Sequence, residues 1–317
     1  MSQTAQLNLA QEGMGADAPA ARYRAFDSDG KQVTIQEVVE AFGGADVVLV
    51  GEEHDDPTAH LLEAELLRRA HERHGLGAGA KGRPVALSLE MFERDVQLVV
   101  DEYLAGLISE RHFLASSRPW KNYQVDYRPL VEYARAQKLP VIAANAPARY
   151  VSRVSANGPA SLGALSEAAR ATLPPLPFRP ASEAYAAKFG RFMGLDAATT
   201  APPQNPGAPA ASPHAPANPH GALHLLDAQN LRDAAMAFAI TEHLRRRQDA
   251  LVLHFNGKFH SEERLGVPEH IKLNRAKTRL LVVTILSGEG FPAFDAAKLG
   301  RFGDFVIITD PSLPRSR

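Results

Sequence analysis

The chain has 317 residues, 45% of them hydrophobic, a formal net charge of −1 and no cysteine. A near-neutral balance without a long basic run offers nothing to a phosphate backbone, so nucleic acid is excluded as a partner, and the missing cysteines exclude a disulfide framework or a lipidated thiol. No run approaches the roughly 20 uninterrupted apolar residues that a membrane span requires.

The length suits one α/β domain enlarged by an insertion. Residues 1–21 are rich in Gln, Ala and Gly without periodicity and read as a disordered tail. They lack the basic start and apolar middle of a signal peptide, which points to the cytoplasm for the chain as it stands, and to an exported or periplasmic protein if a signal has been trimmed.

The chain from 22 to 310 alternates strands and helices. Tyr23 to Val33, with Asp-Ser-Asp-Gly at its middle, reads as a short hairpin, and Thr34 caps a helix through Phe42. Val47 to Val50 is short, β-branched and closed by Gly51, the pattern of a buried strand. Asp56 then serves as N-cap and Pro57 as first residue of a helix carrying Leu62, Leu66 and Ala70 on one face. After a Gly-rich loop over 75–82, Val85 to Met91 forms a second strand, which carries Glu90 at its end. Arg94 to Leu114 has helical spacing with a break at Gly106 and a new cap at Ser109. A helix over Tyr127 to Gln137 leads into a third strand, Pro140 to Asn145.

Helical stretches over Arg149–Arg170 and Ala181–Leu195, separated by Leu173-Pro-Pro-Leu-Pro177, read as a helical insertion over about 148–196. Residues 197–221, dense in Pro and Ala, read as a disordered loop, and its His214 and His220 match no metal-binding spacing. A long helix over Leu225 to Arg247 precedes a fourth strand, Ala250 to Gly257, then Lys258-Phe-His260; Leu280–Leu286 and Phe305–Thr309 supply two more strands. This alternation predicts an α/β fold: a mainly parallel sheet flanked by helices, with a helical cap subdomain.

Four of these strands end in Glu52/His54, Glu90, Asn145 and Asn256/His260. In a parallel sheet those ends share one edge, where α/β proteins place their functional groups. Each residue alone is more often a cap or loop group, but together Glu52, His54, Glu90 and His260 form a candidate catalytic set for acid/base work. In an alternative reading, His54, Glu90 and His260 hold a divalent metal, although no HExxH-type spacing supports it. Glu52 and Glu90 held close would push one carboxyl pKa upward. His60 falls on the first turn of its helix, and six tyrosines lie mostly in helical segments, where core packing is the commoner role; a phenolate can also ligate ferric haem.

Gly51-Glu-Glu-His54 with His60, Leu87-Ser-Leu-Glu-Met-Phe-Glu93, Asp101-Glu-Tyr-Leu-Ala-Gly106, Tyr127-Arg-Pro-Leu130, Leu139-Pro-Val-Ile-Ala-Ala-Asn-Ala-Pro147, Gly257-Lys-Phe-His260 and Gly266-Val-Pro268 stand in that order. Together they resemble the ChaN-like family of the Tiki superfamily, over most of residues 45–310. The resemblance implies an α/β domain with a helical subdomain, haem or iron binding associated with iron uptake, and frequent export as a lipoprotein. It also implies distant kinship with Tiki metal-dependent proteases and erythromycin esterases, whose Glu and His set is matched by Glu52, His54, Glu90 and His260. Two departures stand out: the lipoprotein cysteine is absent, and the glycine-rich stretch before the last His reads Asn-Gly-Lys-Phe-His.

Haem is therefore the expected cofactor, with Tyr127, Tyr150 and His60 as candidate ligands, none matched singly to a family position. The alternative function is a metal-dependent or Glu/His-based hydrolase, an esterase or peptidase. Expected partners are haem or another small molecule and a second copy of the chain as homodimer, with membrane association only if an export signal has been removed.

Overall fold

The structure is a computed structural model and describes residues 19–194, 224–288 and 290–316. The expected loop over 197–221, with His214 and His220, and all but the end of the expected tail over 1–21 lie outside the described residues. The described chain divides into two compact units, one formed by Met1–Asn145 with Met236–Arg317 and the other by Ala146–Ala235.

The first unit is built on one sheet. Its strands are β1 (Tyr23–Asp27), β2 (Gln32–Val33), β3 (Val47–Glu52), β4 (Val85–Glu93), β5 (Val141–Asn145), β6 (Leu251–Gly257), β7 (Leu280–Ser287) and β8 (Phe305–Thr309), in the order β2-β1-β8-β7-β3-β6-β4-β5. β8, β7, β3, β6, β4 and β5 run parallel, whereas the β1–β2 hairpin joins antiparallel at one edge. The expected mainly parallel sheet is thus present. β6 inserts between β3 and β4. Four strands that are scattered in sequence therefore bring their carboxyl ends side by side.

The helices of this unit that precede β5 are α1 (Ile35–Ala41), α2 (Pro57–His74), α3 (Gln97–Leu104), α4 (Glu110–Ser117) and α5 (Arg128–Ala136). Strand periodicity explains why the central strands are mostly apolar on both faces, because each face has its own cover. Val48, Val50, Leu87, Leu253 and Val283 pack with Leu62, Leu66 and Ala70 of α2, while Val47, Leu49, Ala86, Val252 and Val282 form a second cluster with Met236, Ile240 and Leu244. Leu66 is fully buried, so its truncation to Ala costs about 2 to 5 kcal/mol.

Local signals behave as the sequence predicts at several boundaries. The Asp56 side chain accepts from the N–H groups of Thr58 at 2.9 Å and Ala59 at 3.3 Å, with Pro57 as first helical residue. Gly106 adopts φ of +73°, which separates α3 from α4, and the Ser109 side chain caps the latter. One expected helix differs. It begins at Arg128 and is preceded by a single π turn over Tyr123–Tyr127. That turn directs two successive residues, Asp126 and Tyr127, into the interior, each 2% exposed.

The second unit contains α6 (Ala148–Asn157), α7 (Glu167–Arg170), α8 (Glu183–Phe192) and the start of α9 (Leu225–Arg246). Val151, Val154, Leu162, Leu173, Ala228, Leu231 and Ala235 make its core. Leu173-Pro-Pro-Leu-Pro177 is irregular, as its prolines require. The helix α10 (Val267–Asn274) belongs to the first unit and packs Val267 and Ile271 under β6 and β7.

Candidate functional site

β3 ends at Glu52, which is 2% exposed. A buried carboxylate needs donors, and Glu52 Oε1 has two: the Tyr127 hydroxyl donates at 2.6 Å, and His54 Nδ1 lies at 2.7 Å. Tyr127 is a neutral donor, since burial and then the charges of Glu52 and Glu63 drive its pKa far up. The side chain of His54 is 48% exposed, and its ring meets Trp120 edge-on with centroids 4.5 Å apart. Asn122 Nδ2 donates to the His54 carbonyl at 3.1 Å and fixes the turn. Burial opposes charging the His54 ring, but the hydrogen bond and charge of Glu52 and the charge of Glu90 outweigh it, and its pKa rises above 6.5. The Nδ1 contact leaves Nε2 as the reactive nitrogen of an imidazole oriented by a carboxylate.

Glu90, near the end of β4, is held from β6. Its Oε2 accepts the Gly257 N–H at 2.8 Å, and its Oε1 lies 3.3 Å from His260 Nε2. Burial alone would raise this carboxyl, yet the two imidazoles His260 and His54 with the Gly257 N–H hold it well below the usual carboxylate range. The expected upward shift from a Glu52–Glu90 pair is therefore corrected. Imidazoles surround Glu90, and the carboxyl that rises is Glu63, pushed up to about 7 by burial and then by the charge of Glu52.

Two glycines make room for this arrangement. A Cβ on Gly257 would sit 2.8 Å from His54 Cε1 and Nε2 and 3.7 Å from Glu90 Oε2, so the imidazole and the carboxylate close on the same point. On Gly51 it would meet Lys258 Cα at 2.8 Å and Ser261 Oγ at 2.9 Å. Register explains the proximity, because Glu52 pairs with Gly257 and Gly51 with Asn256 across the β3–β6 ladder. His54, Glu90 and His260 thus gather at one strand edge, with Glu52 behind His54.

Further inside, His60 is 3% exposed and faces three carboxylates. Its Nδ1 is 3.1 Å from Glu63 Oε2, and its Nε2 is 3.7 Å from both Glu52 Oε2 and Asp126 Oδ2. Burial opposes its charge, but Glu63, Glu52 and Asp126 push its pKa up to about 10. Below the edge, His254 Nδ1 pairs with Ser88 Oγ at 2.8 Å, and complete burial lowers its pKa to about 3.

Of the expected haem ligands, Tyr127 and His60 are committed to this interior network, whereas Tyr150 lies in the second unit, half-buried, with the Arg149 guanidinium 4.4 Å from its ring centroid. Sequence reasoning did not single out Glu63, Asp126, Ser88 or His254. Glu63 carried a signal, its i,i+3 spacing from His60 on α2. The end of the chain also contributes: Arg315 pairs with Glu53 at 2.7 Å and Asp55 at 3.3 Å, and the Ser316 N–H donates to the Asp55 carbonyl at 2.8 Å.

Comparisons with known proteins agree with this architecture. The sequence profile described as haem-binding uptake, Tiki superfamily, ChaN matches residues 38–271. No curated protein matches the chain. Among solved structures, ChaN of Campylobacter jejuni, described by its cofacial heme binding, aligns with a TM-score of 0.60 at 15% identity, covering 92% of this chain and 98% of that one. The type III effector HopBA1 aligns with a TM-score of 0.44 at 13% identity, covering 87% of this chain and 93% of the effector.

Proposed function

Because the chain belongs to the haem-binding uptake family of the Tiki superfamily, ChaN, we propose that it binds haem in the service of iron uptake, with Tyr150 as the iron ligand. Ferric haem accepts few protein ligands, a phenolate among them. Tyr127 is poorly suited, since ionising it would set a phenolate against Glu52 inside the core. His60 is enclosed by carboxylates. The observation that carries the reading is Tyr150: it is half-buried, its hydroxyl has no hydrogen-bond partner among the described residues, and a guanidinium lies over its ring. The same unit also has an open groove of about 450 Å³, lined by Val151, Ser152, Phe189, Phe192, Met193 and Arg232 among others, next to Tyr150 in sequence but not lined by it. Its apolar wall and single guanidinium suit a flat apolar ligand bearing carboxylates, and its volume is within the range of ordinary ligand sites.

The test is a haemin titration followed by Soret absorbance. Wild type gives a saturable shift, Tyr150→Phe loses it or weakens it at least tenfold, and Tyr127→Phe keeps it. Absence of a saturable shift in wild type overturns the haem reading, and an undiminished shift in Tyr150→Phe overturns the ligand.

A second reading, hydrolysis, is favoured by one specific observation: His54 and Glu90 close on the same point beside Gly257. In it His54, oriented by Glu52, takes a proton from water, and Glu90, held by His260, supplies fixed charge. A divalent metal on His54, Glu90 and His260 is the metal-dependent form of this reading. Glu90 is already satisfied there by the Gly257 N–H and His260, so the chain's own groups support the metal-free form. Turnover of ester and peptide substrates that is abolished in His54→Gln would support this reading, and inactivity of the wild type toward both would remove it.

A further inference from the structure

The interior cluster behind the strand edge gathers three carboxylates around one buried imidazole. Glu52, Glu63 and Asp126 are 2%, 0% and 2% exposed, and His60 between them is 3% exposed. Among the described residues no lysine or arginine pairs with any of the three carboxylates; their charged partners are His54 and His60. Two of their oxygens, Glu52 Oε2 and Glu63 Oε1, are buried without any hydrogen-bond partner. An unpartnered buried carboxylate oxygen costs free energy, and a cation bound between two such oxygens would remove that cost.

Donor spacing points the same way. One ligand atom each from Glu52, His60 and Glu63 lies within 4.8 Å of the other two, and Asp126 Oδ2 stands 3.7 Å from His60 Nε2. Carboxylate or imidazole bonds to a small divalent cation of roughly 2.0 to 2.2 Å place neighbouring donors roughly 3.0 to 3.6 Å apart. A contraction of about 1 Å would close the shell, well within side-chain movement. The 3.7 Å separations between His60 Nε2 and two carboxylates are too long for hydrogen bonds but suit ligands sharing one ion, for which this nitrogen would exchange its 3.2 Å contact with the His54 carbonyl. The elements are rigid as well: Glu52 ends a central strand, His60 and Glu63 stand one turn apart on α2, and Asp126 is turned inward by the π turn.

We propose that Glu52, His60, Glu63 and Asp126 form a binding site for one divalent first-row cation, chemically of the Mn²⁺ or Zn²⁺ kind, which the chain takes up as it folds. Hard oxygen donors with a single imidazole suit these ions better than they suit copper(I) or an iron–sulfur cluster. The site lies behind the His54, Glu90 and His260 edge, touching it only through Glu52 and the His54 carbonyl, and is independent of haem. Binding would couple to folding, because the ligands converge only in the native state. Glu52 would then link the ion to His54, since its other oxygen carries the 2.7 Å contact to Nδ1.

The test uses the full chain, stripped by unfolding in chelator, refolded with or without MnCl₂ or ZnCl₂, and freed of loose metal by gel filtration. The expected result is one equivalent of cation retained per chain by elemental analysis, with a higher melting temperature than the metal-free sample. Glu63→Gln keeps the shape of the side chain and should lower retention at least tenfold, while His260→Gln should retain the ion as wild type does. If Glu63→Gln fails to fold, Asp126→Asn, on a different element, must show the same loss. Failure of wild type to retain either ion overturns the proposal. So does retention that survives Glu63→Gln or Asp126→Asn, or that vanishes in His260→Gln.

Discussion

The hydroxyl of Tyr127 donates to Glu52 Oε1 across 2.6 Å, spanning 75 positions of sequence to meet the oxygen that also faces His54 Nδ1. This ties the π turn before α5 to the end of β3 and to the half-exposed imidazole. Tyr127→Phe removes one donor from a buried carboxylate and leaves the ring volume unchanged. Loss of such a bond to a charged group costs about 1.5 to 3 kcal/mol. Urea denaturation of the variant should show that loss through an earlier midpoint at unchanged slope, and a stability equal to wild type would mean that Glu52 does not depend on the phenol.

His54 and Trp120 allow the site to be read optically. Trp120 is the chain's single tryptophan and touches the His54 ring edge-on. Protonation of the imidazole should quench it, so fluorescence followed against pH reports the His54 titration. Burial lowers that pKa, but Glu52 and Glu90 raise it by more, so the midpoint should lie above 6.5. Removing the Glu52 charge with Glu52→Gln should move the midpoint down. The sign for stability follows: a raised imidazole pKa stabilises the fold fully below its unfolded value of about 6.5, and this contribution disappears as pH rises through the folded value. A midpoint below 6.5 in wild type would mean that burial outweighs the carboxylates.

His254 has the opposite linkage. Complete burial holds it neutral, with a pKa of about 3, although its side chain meets Ser88. The unfolded chain takes up this proton near pH 6.5, so from roughly that pH down to about 3 the unfolded state binds one more proton than the native state. The contribution is complete above the unfolded pKa and falls on acidification by roughly 1.4 kcal/mol per pH unit. Denaturation series between about pH 6 and 4.5 should therefore show a steeper acid loss in wild type than in His254→Gln, by one proton's worth of slope. Parallel slopes would show that His254 gains its proton without unfolding.

The parts of this molecule that were legible in sequence are those determined by local pattern. Val47–Val50 is apolar at every position and Val85–Leu89 at every position but Ser88, because both faces of their strands are covered, and Asp56-Pro57 marks a helix start through backbone chemistry alone. The convergence of His54, Glu90 and His260 needed only parallel strands and a common edge. The inner cluster was harder. Asp126 turns inward because a π turn interrupts the helical phase before α5, and no periodicity in Tyr123–Tyr127 announces it. Ser88 and His254 meet across 166 positions only because β6 inserts beside β4, an order that strand patterns do not encode. Tyr127 reads as an available ligand in sequence, but its hydroxyl is engaged by Glu52.

Glu90→Gln separates the two functional readings. The change keeps the volume, and its carbonyl can still accept the Gly257 N–H that meets Glu90 Oε2 at 2.8 Å. It removes the charge that the two imidazoles His260 and His54 hold ionised. If the strand edge hydrolyses a substrate, loss of that charge disturbs His54 and His260 together, and turnover should fall by roughly 10²- to 10⁴-fold, the usual worth of acid/base catalysis. If the chain instead holds haem through Tyr150, haemin affinity should change less than threefold in Glu90→Gln and at least tenfold in Tyr150→Phe. Haemin titration and ester hydrolysis run on the same three proteins therefore give opposite patterns. A fall in haemin affinity in Glu90→Gln as large as that in Tyr150→Phe would mean that haem depends on the strand edge, and the assignment of the ligand to the second unit would be lost.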